Sequence, residues 1–161
     1  YLNVPAGGGN WHAAGEDRVR EATPEDIPAM AALEMAVSHI TREPDYRYCI
    51  ENRLGFWHVS VIESASGNLE GFMISSGHPA MNVLGPCVAA SEQAAEALIV
   101  RELDQHRGRA PVFLIPMEKT QLVCAMYTMG ARNCEMHFCQ VRGDFIPFDG
   151  VNMPSFLPET G

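Results

Sequence analysis

The sequence predicts an α/β (α+β) domain with a central mixed sheet and helices on both faces, in the order β-α-α-β-β-β-α-β-α-β. Three observations carry this. Apolar residues recur at helical spacing in well-started segments, as in Ile27, Met30, Leu33 and Val37. Short runs with period-two alternation or continuous apolar character, bounded by Gly, Pro, Ser and Asn, lie between them and read as strands. A length of 161 residues with 47% hydrophobic and 19% charged composition suits one domain with a core of its own.

Residues 1–17, rich in Gly and Ala without periodicity, read as an N-terminal extension. The domain proper is expected over 18–143, and a Pro-rich C-terminal arm over 144–161. Residues 18–22 make a first short strand. Thr23-Pro24-Glu25-Asp26 is a strong helix start, with Thr at the N-cap, Pro at the first helical position and acids facing the positive end of the helix dipole. Pro44 interrupts, and 45–53 form a second helix that ends before Gly55. Residues 58–62 and 71–75 are paired strands of a hairpin whose turn holds Ser64, Ser66, Gly67 and Asn68. Residues 83–89 form a further strand with Gly85-Pro86 in its middle. Ser91 N-caps a long helix with Ala95, Leu98, Ile99 and Leu103 on its apolar face, ended by Gly108. Residues 112–115 are a buried-type strand between prolines. Residues 120–129 are a helix with Leu122, Ala125, Met126 and Met129 on one stripe, closed by Gly130. Residues 134–141 are the last strand.

The net charge of −9 comes with ten scattered arginines and the single Lys119, so the surface repels phosphate backbones and nucleic acid is not an expected partner. No apolar run approaches the roughly 20 residues that span a bilayer. Residues 1–15 lack a basic region followed by an apolar one, so no secretory leader is expected there. Cys49, Cys87, Cys124, Cys134 and Cys139 are an odd count within apolar stretches, the pattern of buried free thiols in a reducing, cytoplasmic setting. No metal is expected: paired ligand spacings are missing, and on a strand Cys134 points opposite to His137 and Cys139.

The element order, opened by Val19-Arg20-Glu21-Ala22-Thr23-Pro24-Glu25-Asp26, resembles the GCN5-related N-acetyltransferase (GNAT) family. Ala125-Met126-Tyr127-Thr128-Met129-Gly130-Ala131 is similar to that family's fourth-helix pattern, with Ala131 where Phe is common. The resemblance covers about residues 18–143. It implies transfer of an acetyl group from acetyl-CoA to a small-molecule amine. It also implies that strands 83–89 and 112–115 splay apart and leave a gap for the pantetheine against the backbone of Cys87, Val88 and Ala89. A proline costs little where a ladder has already parted, which accounts for Gly85-Pro86; an edge strand or loop is the other reading.

The family's glycine-rich diphosphate turn departs here to Ala89-Ala90-Ser91-Glu92-Gln93-Ala94-Ala95. Ser91, Gln93, Ala94 and Ala95 are the residues expected to meet the diphosphate at the helix start, with Glu92 opposing it. The resemblance also makes Tyr127 a catalytic proton donor to the departing thiolate, for which a phenol is suitably protonated at neutral pH. Packing at the helix edge is the alternative for Tyr127. His78 is the candidate base and Asn82 a substrate contact, both near the expected entrance. Positioning alone, with no dedicated base, is the other option. A catalytically inactive ligand-binding or assembly module is the alternative function. In the arm, Phe145, Phe148, Met153 and Phe156 are expected to pack on the domain or on a second subunit, giving a homodimer. Leu157-Pro158-Glu159-Thr160-Gly161 spells a sortase motif without the apolar span that normally follows, and is read as coincidence or a tag.

Overall fold

Residues 1–155 are described by the computed structural model, and through its first three helices the chain follows the expected order. The elements are β1 (Val19–Glu21), α1 (Ile27–Ser38), α2 (Glu43–Glu51), β2 (Trp57–Glu63), β3 (Leu69–His78), β4 (Met81–Ala89), α3 (Glu92–Leu103), α4 (Thr120–Thr128) and β5 (Val151–Met153). Thr23 and Asp26 close a capping box around Pro24 at the entry to α1, with the Thr23 N–H donating to Asp26 Oδ2 at 2.7 Å. That first turn is a 3-10 turn which passes directly into α1.

Among the described residues the sheet has five strands in the order β1-β2-β3-β4-β5, each antiparallel to its neighbour. Alternation along the strands sorts the core into two layers. Val59, Val61, Phe72, Ile74 and Val88 pack with Ile27, Met30 and Tyr46 of α1 and α2. Ile62, Met73, Leu84, Cys87 and Ala89 face the other way, onto Leu98, Ile99 and Leu103 of α3 and Leu122 and Met126 of α4. Helices thus cover both faces, as the α+β reading requires.

Two expected strands are corrected. Residues 112–115 form no strand; Val112 makes one parallel bridge to Val83, with Leu84 N–H donating to Val112 O and Val112 N–H to Asn82 O, both at 3.0 Å. Pro111 and Pro116 have no N–H to extend that ladder in either direction. This bridge is the sheet's parallel component. Residues 134–141 are exposed and irregular. The position beside β4 belongs instead to β5, in the arm, so the alternation of Cys134, Met136 and Phe138 has no sheet to face. Accordingly Cys49 and Cys87 are buried, while Cys124, Cys134 and Cys139 are exposed, against the expectation of five buried thiols.

The N-terminal segment is tied to the domain. Leu2 and Val4 are buried in the α3-side core, and their N–H groups donate to Pro111 O and Arg109 O. In the arm Met153 is buried, whereas Phe145 and Phe148 are exposed and pack edge-to-face on each other. Phe156 and the 157–161 motif lie outside the described residues. Among the described residues no helix is long and apolar enough to cross a membrane.

Candidate functional site

β4 changes partner halfway along. Met73 pairs with Cys87 and Ser75 with Leu84, so Gly85 and Pro86 together oppose the single residue Ile74, a bulge of the kind that kinks a strand. Gly85 has φ +127°, a conformation L side chains rarely adopt. Before the bulge, Val83 meets Val112. After it, the pairing with Val112 does not continue, and β5 lies against β4 instead: Cys87 opposes Met153, Val88 opposes Asn152 and Ala89 opposes Val151. The divergence expected at Gly85-Pro86 is present. The gap it opens is filled by the chain's own residues.

The turn after β4 builds a helix start without glycines. Ser91 sits in extended backbone, and its Oγ accepts from Ala94 N at 3.1 Å. The N–H groups of Glu92 and Gln93 have no partner among the described residues, and they stand at the positive end of α3. Ala94 and Ala95 are buried and pack under the turn; Ser91 and Gln93 are exposed. The Glu92 carboxylate does not lie free in this corner: Oε2 accepts from Leu122 N at 2.8 Å, capping the start of α4. The starts of α3 and α4 are therefore tied together, and the acid opposing a diphosphate is engaged elsewhere.

Tyr127 lies five residues beyond Leu122, about 8 Å along α4. It is 56% exposed, with its neighbour Met126 buried, so the phenol is open to a ligand. The Cys87 thiol is fully buried and pushed up in pKa by that burial, which keeps it protonated and unreactive.

The structure does not bring His78 and Asn82 to this end. They stand at the β3–β4 hairpin, and Asn82 is seven residues from Ala89, on the order of 20 Å along the strand. His78 Nδ1 accepts from Ala80 N at 3.1 Å, and its ring meets Phe56 edge-on, so the free ring nitrogen carries the proton. Asn82 Oδ1 accepts from His106 Nδ1. His106 is fully buried, its Nε2 has no partner among the described residues, and burial pushes its pKa down to about 4.

A second polar cluster escaped the sequence reading. Glu102 of α3 is fully buried; Oε1 accepts from His58 Nδ1 at 2.7 Å and from the Ser60 hydroxyl, and Oε2 from the Ser75 hydroxyl at 2.6 Å. The hydrogen bond to Glu102 raises the pKa of His58. Its signal in the sequence was polar Ser60 and Ser75 at inward positions of otherwise apolar strands. Among the described residues no three His, Cys, Asp or Glu side chains converge as metal ligands do. The β5 strand was also missed. Val-Asn-Met between Gly150 and Pro154 is a short apolar-polar-apolar run between two breakers, which was its only local mark.

Residues 50–143 match the family model of the acetyltransferase (GNAT) domain, a span that takes in β2, β3, β4, α3 and α4. Among solved structures, a mutant of the BH1408 protein from Bacillus halodurans aligns with TM-score 0.52 at 12% identity, over 77% of this chain and 98% of that one. The aminoglycoside antibiotic 6'-N-acetyltransferase from Acinetobacter baumannii aligns with TM-score 0.52 at 11% identity, over 78% and 98%. At these identities the likeness is one of fold. No curated protein matches the chain by sequence.

Proposed function

The chain belongs to the GNAT acetyltransferase domain family, and on that premise we propose that it is an acyl-CoA-dependent N-acyltransferase, moving an acetyl group from acetyl-CoA to a small-molecule amine. The observation that carries the reading is the corner where bulged β4 runs into the Ser91-capped start of α3, with unpartnered N–H groups on Glu92 and Gln93. These donors suit a diphosphate, and the engagement of Glu92 with Leu122 removes the main objection to one. The trough along Cys87, Val88 and Ala89 fits a pantetheine only when β5 is away from it. A bound acetyl-CoA supplies the acyl group as an activated thioester. On the protein's side, exposed Tyr127 donates a proton to the departing sulfur. Asn82, at the far end of β4 and held through its oxygen by His106, is assigned no contact with the substrate. His78 stands at that same distant hairpin with its Nδ1 taken by Ala80 N–H, so the amine's proton leaves to water and positioning takes the place of a dedicated base. The folded unit is wider than the expected 18–143, because Leu2 and Val4 enter its core and Val151–Met153 complete its sheet; its setting is cytoplasmic, with a homodimer formed through the exposed part of the arm at Phe145 and Phe148.

The pairing of β5 with Cys87, Val88 and Ala89 favours a second reading, a GNAT-fold module without turnover whose groove is permanently closed. Calorimetric titration with acetyl-CoA separates the two. Saturable binding is expected for the transferase, and Tyr127→Phe should then lower turnover with little change in acetyl-CoA affinity. Lack of binding in every form of the protein removes the transferase reading; an unchanged rate in Tyr127→Phe removes Tyr127 from the chemistry.

A further inference from the structure

Residues 149–155 are seated on β4 more closely than a loose tail would be. The Asp149 N–H donates to Val37 O at the end of α1 at 3.0 Å. Gly150, at φ +140°, passes so near the sheet that a Cβ there would lie 2.5 Å from Ala89 O and 3.2 Å from a Val37 methyl. Val151 and Met153 are buried in the α3-side core, and Ser155 is buried beyond them. At the other end, a Cβ on Gly85 would lie 3.0 Å from Pro154 O. Two glycines, one on each side of the contact, therefore make room for two backbones to cross. The seat is nonetheless short. β5 is three residues long, at the edge of the sheet, and is reached through exposed, irregular residues 132–148. Short edge segments joined by such connections are where local opening costs least.

We propose that residues 149–155 are an autoinhibitory strap: they occupy the β4 backbone at Cys87, Val88 and Ala89 that the acyl-CoA would take, and must withdraw before it binds. This rests on the acyl-CoA reading above. The apparent affinity for the coenzyme is then the intrinsic affinity multiplied by the fraction of molecules with the strap open. Locking the strap abolishes binding, and unseating it strengthens binding.

Two full-length variants test this, with acetyl-CoA as titrant and calorimetry as readout. In a background carrying Cys124→Ser, Cys134→Ser and Cys139→Ser, the substitution Met153→Cys sets a thiol directly opposite native Cys87. Opposed residues of an antiparallel pair have Cα atoms within disulfide range. The bridge is scored by mass and is reversible with reductant. Separately, Gly150→Val puts branched carbon into the 2.5 Å approach to Ala89 O and forces the strap off. The expected result is that oxidised Met153→Cys binds acetyl-CoA about tenfold or more weakly than its reduced form, and that Gly150→Val binds more tightly than the parent. Equal affinities in the oxidised and reduced forms, or in Gly150→Val and the parent, overturn the strap and leave the acyl-CoA reading standing. Absence of binding in the parent, the reduced form and Gly150→Val together overturns the acyl-CoA reading, and the strap's role with it.

Discussion

Replacing Glu102 by alanine removes the acceptor for three groups at once: the His58 ring N–H and the hydroxyls of Ser60 and Ser75. Ser60 and Ser75 are 3% and 1% exposed, so water does not take over their bonds. A buried donor left without a partner costs about 1–3 kcal/mol. The hydroxyls recover part of this by turning toward backbone carbonyls, and His58 recovers part through its exposed edge. Removing one member of a buried charged pair typically costs about 3–5 kcal/mol. The two estimates agree on about 4 kcal/mol for Glu102→Ala. For a domain whose whole stability is roughly 5–15 kcal/mol, that is a large share, and it corresponds to a fall of about 8–16 °C in Tm. The assay is urea unfolding followed by circular dichroism, comparing midpoints at unchanged slope. Glu102→Gln, which keeps one acceptor oxygen, should fall between the two. A loss under about 1 kcal/mol for Glu102→Ala would refute the claim that this carboxylate holds β2, β3 and α3 together.

Two further outcomes follow from the same region and from the helix start. His58 is raised above its usual pKa of 6.5 by Glu102, so its contribution is fully present below 6.5 and is lost as pH rises through the raised value. His106 is lowered to about 4, so the unfolded chain takes up a proton first as pH falls from 6.5 toward 4, and stability declines over that window by roughly 3 kcal/mol. Urea midpoints should therefore fall on both the acid and alkaline sides, and His106→Asn should flatten the acid limb; an unchanged acid limb would show that His106 does not cause it. Glu92→Gln keeps an oxygen for Leu122 N but removes the negative charge beside the start of α3. Acetyl-CoA affinity should rise by about two- to fivefold, the range of helix-end charge effects, and calorimetry at low salt measures it. No change or a loss in affinity argues against a diphosphate at this corner.

Local chemistry made most of the scaffold legible. The Thr23 capping box, the Ser91 cap, the hairpin of β2 and β3 and the Leu122/Met126 stripe are each written within a few residues, and the structure holds all of them. The irregularity at Gly85-Pro86 was legible for the same reason, because a proline in a strand has few places to go. What escaped depends on partners far apart in sequence. Residues 134–141 carry strand-like alternation, yet the place beside β4 goes to Val151–Met153, and nothing in either segment alone decides that competition. Glu102 looks like a solvated position on α3 until Ser60, Ser75 and His58 are seen beneath it. Glu92, one residue from the expected diphosphate, looks adverse until Leu122 is found to hold it. His78 and Asn82 looked close to the site by order along the chain, and the length of β4 separates them from it.

Hydrogen exchange read by mass spectrometry, with and without saturating acetyl-CoA, tests the assignment of the β4 trough most directly. Amides of residues 151–153 and of Ser155 should lose protection on binding, while those of Glu92 and Gln93 gain it. Unchanged exchange in both segments at saturation would place the coenzyme elsewhere, or nowhere, and contradict the account.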